Sequence, residues 1–596
     1  MVIHYWKCFR NAANILYCIE KRSVLILAAA LLISAPIMPL ELLLVKTIID
    51  RIQAWSASAP ISPILWASGW LGLLMFVNSV ALGAPIPFAM TRLNEVGTLE
   101  EQRLIIRKTS RLPLATIESA KVKDMRERAL RVSVYEIYHT GAELLQLSMQ
   151  LLILIIVIIQ LGQWLPVIAV IASALLLVYI SGKSAGSIER MTREQSSDRR
   201  ILRHYSDLMT NRNAAKEMRL FDLGYLLSDR WTVLMGQTSK HTLGAVRSAE
   251  GRKVAPELLM ALLTGLLLAL VVLMPGQKLL SAGHFAFLFL ALTTLLSQLP
   301  SLIRQGVAMR THYMKWEDFQ AYLNLDEVQP NRSNREASAA VEEKVPVGKQ
   351  PGGLQLQVSN LHFGYPGNNR DAIRDVSFVI PPNSRVALVG ENGSGKSTLV
   401  KLLLGLYSPT AGEVVWSRLK AGRIVPTSAE GNVSVVFQDF TRLMLTLRES
   451  VALGQISELM HDKRLHQSLQ AAGSRFEDLS MQLGVPFEGI DPSGGEWQKI
   501  ATARAILNDA EFVLFDEPTA ALDPKAEKDA FELFLRASEG RSALLVTHRL
   551  GAAKMADFIL VMKEGQLVEQ GTHQQLMERD GLYSHMFQLQ ASWYVG

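Results

Sequence analysis

Cysteine is nearly absent from this 596-residue chain: Cys8 and Cys18 are the only two, both near the amino terminus. Two thiols without spaced histidines make no zinc set, and a disulfide between them is not expected on the reducing side of a membrane. Charge is also sparse, with 19% of residues Asp, Glu, Lys or Arg and a formal net charge of only +6. No basic strip interleaved with aromatics occurs, so nucleic acid is not an expected partner. A cleavable signal is not expected either. The first long apolar run, Val24 to Ile49, exceeds a signal core and carries no clean small-residue cleavage site.

What the chain has instead is apolar sequence, unevenly spread. Hydrophobic residues make up 49% of the whole, with the excess before residue 305. Six runs can each cross about 30 Å of hydrocarbon, some as parts of longer helices. They lie near 24–49, 64–90, 144–161, 165–180, 258–274 and 285–303. Residues 2–21 ahead of them mix aromatics, apolar residues and Lys7, Arg10 and Lys21 as an interfacial helix would. Arginine and lysine gather in two long polar segments, between the second and third runs and between the fourth and fifth. The outer connections hold little beyond Arg51 and Lys278. Positive-inside bias therefore predicts a multi-pass protein of the cytoplasmic membrane with both termini and both long loops in the cytoplasm.

The helical periodicity of those loops predicts spans continuing below the bilayer, with tips near Leu112 to Met125 and Ala215 to Trp231. A solvated charged face accounts for their charges but not for Leu220, Phe221, Leu223, Tyr225 and Leu226. Within the first span Glu41 and Lys46 are ionisable, candidates for a cavity or a mutual pair, with snorkelling of Lys46 the plainer alternative. The expected division is a transmembrane domain over 1–325, a linker rich in Pro, Gly, Ser, Asn and Glu over 326–352, and an α/β domain over 353–596.

That last domain carries the chemistry. Val389 to Leu402 reads VGENGSGKSTLVKL and fits G-x-x-x-x-G-K-[ST] with Gly390, Gly395, Lys396 and Ser397. Backbone N–H groups of Asn392, Gly393, Ser394, Gly395 and Thr398 would turn toward an anion, at the positive end of the following helix. Lys396 would reach the β- and γ-phosphates of a nucleotide, and the Ser397 hydroxyl would take a place on Mg²⁺. A glycine-rich turn can also be a mere tight connection, but the Arg385 to Val389 strand before it supplies the right context.

Downstream, FVLFDEPTAALD begins as a buried strand and runs into Asp516 and Glu517. Asp516 would help hold Mg²⁺ through water and Glu517 would polarise the attacking water; a plain helix cap is the alternative. Ser493, Gly494 and Gly495 make a second anion-binding helix start. One triphosphate does not need two such cradles, so the second is expected to serve a nucleotide bound to another copy.

Taken together, GENGSGKS, Gln438 in VVFQDF, SGGEWQ, VLFDEPTAALD and His548 in LLVTHR resemble the nucleotide-binding domain of ATP-binding cassette (ABC) transporters. The six-span half is similar to the membrane domain of exporter-type members, so the fold class implied is an α-helical transmembrane bundle joined to an α/β P-loop ATPase. The resemblance implies ATP and Mg²⁺ as ligands and obligatory pairing, as a homodimer or with a related half-transporter. It also implies adenine stacking on Tyr365, a Mg²⁺ and water contact for Gln438, a dimer-crossing loop at Asp523 and a γ-phosphate sensor in His548. The family signature usually reads LSGGQ, and Pro492 and Glu496 depart from it. The segment before it (FEGID) also lacks the acidic-glycine-arginine pattern common in exporters, so coupling there is open. No cysteine-histidine peptidase segment is expected ahead of the first span. The implied activity is export driven by ATP hydrolysis, with a peptide as first cargo and a lipid or drug as second. A membrane-anchored ATPase that senses or gates is the rival.

Overall fold

The computed structural model describes residues 2–55, 60–83, 85–161, 167–168, 195–211, 214–273, 281–327, 354–366, 368, 370–420, 423–429, 431–517 and 524–595. Contacts divide the chain into two units, Met1–Ser110 with Ala120–Leu325, and Arg111–Ser119 with Asp326–Gly596.

The first unit is helical. Four stretches among the described residues are long and apolar enough to cross a membrane: Lys21–Gln53, Ser62–Thr109, Val134–Gln160 and Ala282–Leu323. The expected first and sixth spans fall within the first and fourth of these, and the third, 144–161, overlaps the third as far as Gln160. The fifth ends the 51-residue helix Leu223–Leu273. The fourth, 165–180, lies almost wholly outside the described residues, as do most of the linker and Asp523. The second is not one continuous helix. Ser62–Phe76 passes into a π turn at Val77–Ala81, and Pro85–Thr109 begins a new helix. Pro85 lacks the N–H that the helical ladder requires and biases the residue before it away from the helical region.

Leu42 and Leu43 of Lys21–Gln53 pack against Leu154 and Ile158 of Val134–Gln160 and against Phe287, Leu288 and Leu292 of Ala282–Leu323. The amino-terminal helix Val2–Ile19 lies on Val134–Gln160, Phe9 stacking on Tyr138 with ring centroids 5.7 Å apart. Cys8 is buried, Cys18 exposed, and both are free thiols. Glu41 and Lys46 do not pair. Five residues apart, they project from different faces of the helix, about 140° apart, whereas Asp50, one turn beyond Lys46, lies 3.5 Å from its ammonium. Asp50 also accepts from the Gly283 N–H at 3.0 Å and Gln53 from the Ala282 N–H at 3.2 Å. The end of one helix thus caps the start of another, satisfying N–H groups that have no partner within their own helix.

The second unit is α/β. Its strands are β1 (Leu354–Phe363), β2 (Ile373–Ile380), β3 (Arg385–Gly390), β4 (Ala411–Lys420), β5 (Arg423–Thr427), β6 (Val433–Val436), β7 (Phe512–Asp516), β8 (Ser542–Val546), β9 (Phe558–Lys563) and β10 (Gln566–Gly571). An antiparallel sheet runs β2-β1-β4-β5, and a second sheet runs β10-β9-β3-β8-β7-β6. In the second, β9, β3, β8, β7 and β6 are parallel. Residues 386–389, 512–516 and 542–546 are buried throughout, which is why these strands read as continuous rather than alternating apolar runs. A separate helical cluster gathers Leu447, Val451, Leu465, Leu469, Trp497, Ile500 and Leu507. Arg111–Ser119 belongs to this unit. Its Leu114 and Ala115 pack on the sheet core, and Glu118 accepts from the Tyr407 hydroxyl and lies 3.9 Å from the Lys401 ammonium.

Candidate active site

Four neighbouring strands deliver the site. The phosphate loop follows β3, His548 follows β8, Asp516 ends β7 with Glu517 just beyond, and Gln438 follows β6. Parallel strands with their carboxyl ends at one edge bring together residues that lie between Gly390 and His548 in sequence, in the crevice where open α/β sheets bind ligands.

At the end of β3 the backbone turns through Gly393 (φ +80°) and Gly395 (φ +100°). At Gly395 a Cβ would stand 3.0 Å from the Ala372 carbonyl oxygen, so both conformation and space demand glycine. The helix Lys396–Leu403 starts immediately after. Lys396 arches back over the loop, donating to the Gly390 and Glu391 carbonyls at 2.8 and 3.0 Å. Burial lowers its pKa, with Glu517 and Asp516 opposing the shift. Asn392 and Gly393 are exposed at the loop's tip, and the Ser397 side chain is exposed at the helix start. Thr398 shares a 3.1 Å hydrogen bond with the Tyr365 hydroxyl, and the Tyr365 ring meets Phe363 and Tyr407 edge-on. Tyr365 is therefore half-buried beside the loop.

Glu517 is the hub. Its carboxylate accepts from Gln438 Nε2 at 2.9 Å, lies 3.4 Å from His548 Nδ1 and 4.0 Å from Lys396 Nζ, and is only 11% exposed. The residue sits at φ +46°, a strained conformation for a side-chain-bearing residue, with its N–H bonded to the Val546 carbonyl at 2.9 Å. Asp516, 5% exposed, has a buried Oδ1 with no partner among the described residues, as does Ser394 Oγ. Burial first, then Glu517 and Asp439, push the Asp516 carboxyl up to about 6. Asp439 is a contributor that sequence reasoning passed over, although it stands next to Gln438.

A divalent cation fits this arrangement. Asp516, Ser397 and Gln438 are oxygen donors of the kind Mg²⁺ takes, and an orphaned buried carboxylate oxygen needs a cation or a proton. No group of three or more His, Cys, Asp or Glu able to hold a metal occurs among the described residues. Mg²⁺ binds through one or two carboxylates plus substrate phosphates, so one buried acid beside a phosphate loop is ligation of the kind it takes. One consequence is measurable without nucleotide. Asp516→Asn removes a desolvated, under-partnered charge, so the nucleotide-free protein is expected to gain on the order of 1–3 kcal/mol and melt higher. An unchanged or lowered melting temperature would mean that Asp516 is already compensated.

Ser493 caps the helix Gly494–Leu507, its hydroxyl accepting from the Glu496 N–H at 3.3 Å. This helix packs in the separate helical cluster, and no hydrogen bond or ion pair among the described residues joins Ser493, Gly494 or Gly495 to the phosphate loop. Pro492 and Glu496 are both buried. One edge thus gathers the loop, both acids, Gln438 and His548, and among the described residues the Ser493 corner is not bonded to it.

Site and fold together define an ATP-hydrolysing ABC transporter domain, joined in one polypeptide to a membrane-spanning helical half of the exporter type. Residues 373–520 match the ABC transporter family. The chain is 38% identical over 239 residues to the nisin transport ATP-binding protein NisT of Lactococcus lactis subsp. lactis, covering 39% of this chain and 40% of that protein. It is 27% identical over 497 residues to the subtilin transport ATP-binding protein SpaT of Bacillus subtilis, covering 81% and 78%. It is 25% identical over 505 residues to the ATP-dependent lipid A-core flippase of Xylella fastidiosa (strain 9a5c), covering 82% and 81%. The solved structure of a bacterial Atm1-family ABC exporter with ATP bound shares the fold at 21% identity, with a TM-score of 0.75 over 96% of this chain and 99% of that one.

Proposed function

We propose that two copies of this chain bind two Mg·ATP at their interface and use hydrolysis to export a substrate across the cytoplasmic membrane, both termini and the ATPase domain lying on the cytoplasmic side. The observation that carries this reading is the convergence of Lys396, Asp516, Glu517, Gln438 and His548 at one sheet edge, with the Ser493 corner held apart from it. Among the described residues the phosphate loop and the serine-glycine corner of one chain share no hydrogen bond or ion pair, and a second copy in the opposite orientation would complete both.

Each residue then has a task. Tyr365 stacks on adenine. Lys396 exchanges its two carbonyl partners for the β- and γ-phosphate oxygens, and His548 holds the γ-phosphate. Glu517 orients the water that attacks the γ-phosphorus and takes its proton as the bond to the β-phosphate oxygen breaks. Bound Mg²⁺ would spread the charge that develops on the transferring group. Gln438, now donating to Glu517, must release it for the water to enter, which ties catalysis to movement of the segment after β6. Asp523 would line the loop crossing the dimer. Leu220, Phe221 and Tyr225, all exposed large apolar side chains at the second loop's tip, are a surface that assembly would cover.

For the cargo, the relatives named for nisin and subtilin transport favour a peptide, and the lipid flippase keeps a lipid second. The test is vectorial. In sealed inside-out vesicles, added ATP should drive accumulation of a nisin- or subtilin-type peptide, and the Glu517→Gln variant should show none. ATP turnover with no movement of peptide, lipid or drug probes would favour a sensing or gating ATPase instead.

A further inference from the structure

Glu496 stands at the third position of the helix Gly494–Leu507. An acid in a first helical turn is welcome there, because it faces the positive end of the helix dipole. On the function proposed above, however, the same helix start must receive the γ-phosphate carried by the partner copy. Two anions then compete for one helix end.

The surroundings of Glu496 address that conflict. Its side chain is only 10% exposed, yet it does not reach back to cap the helix. Instead Oε1 accepts from Lys499 Nζ at 3.1 Å, one turn along, and lies 3.9 Å from Arg475 Nε. Oε2 is buried and has no partner among the described residues, so the carboxylate depends on these two cations. Arg475 arrives from the turn after the helix Asp462–Ala471, with its guanidinium 5.4 Å from the Phe476 ring centroid. The three side chains sum to one positive charge.

We infer that Lys499 and Arg475 are positioning residues of the composite site: they offset Glu496 so that the Ser493–Gly495 corner keeps a net attraction for the partner's triphosphate. The inference rests on the dimeric reading and adds to it two residues from outside the serine-glycine corner. Lys499 carries the larger share, since it is closer and better shielded, whereas Arg475 is 72% exposed and screened by solvent.

The experiment is a charge cycle on full-length protein in two-copy lipid nanodiscs at low salt, reading the ATP concentration for half-maximal hydrolysis and kcat separately. Lys499→Met should raise half-saturation about tenfold and Arg475→Gln about twofold, with kcat little changed. Glu496→Gln combined with Lys499→Met should return to within about twofold of the wild type, because the net charge is restored. Lys499→Arg should match the wild type. A merely structural role for Lys499 predicts a lowered melting temperature and no rescue. The inference is overturned by wild-type half-saturation in Lys499→Met, or by a double variant as impaired as the single one. If the wild type itself shows no dependence on pairing, the dimeric reading fails first and this inference with it. A pairing-dependent wild type with a silent Lys499→Met sinks only the inference.

Discussion

Glu517→Gln is expected to bind ATP as tightly as the wild type and to turn it over about a thousandfold more slowly, the range set by loss of a positioned general base. Side-chain size and one acceptor oxygen survive the change, while the negative charge, the second acceptor and the ability to take a proton are lost. Glu517 lies at the meeting point of Gln438, His548 and Lys396. Its amide counterpart can still be held by Gln438, so the pocket should remain intact. Single-turnover hydrolysis beside equilibrium ATP binding separates the two effects. A variant retaining more than a tenth of wild-type turnover would move the catalytic role elsewhere, with His548 the first candidate.

Lys396→Ala is expected to weaken ATP binding by about a hundredfold, because hydrogen bonds to a charged group contribute about 1.5–3 kcal/mol each and two phosphates are addressed. Without nucleotide the ammonium is buried and satisfied by the Gly390 and Glu391 carbonyls, so it is already shaped to the loop before any phosphate arrives. That preorganisation lowers the cost of ordering a long side chain on binding. Titrating ATP into Lys396→Ala with Glu517→Gln in the background excludes turnover from the measurement. Wild-type affinity there would show that the loop amides alone carry the triphosphate.

Most of this site was legible in the residues because its chemistry is local. A phosphate loop needs glycines at fixed positions, and Gly393 and Gly395 occupy the left-handed conformations that such a turn requires. Asp516 and Glu517 announced themselves as acids closing a buried strand. Their meeting with Gln438 and His548 was legible only through the motif order, since adjacency of β3, β8, β7 and β6 is a property of sheet topology, not of any one segment. Non-local pairings stayed hidden for the same reason. Nothing near Lys46 favoured Asp50 over Glu41 except helical geometry, and nothing near Arg475 pointed to a glutamate 21 positions later. The break in the second span had a local signal in Pro85, which an apolar tally overlooks because hydropathy does not register a missing N–H.

The central claim is that neither the phosphate loop of one copy nor its serine-glycine corner makes a working site alone. It is tested most directly by reconstituting the full-length protein into nanodiscs holding one copy or two and comparing ATP hydrolysis per chain at saturating Mg·ATP. Turnover should be confined to the two-copy discs, with single-copy discs near background. Equal rates per chain in both would contradict it.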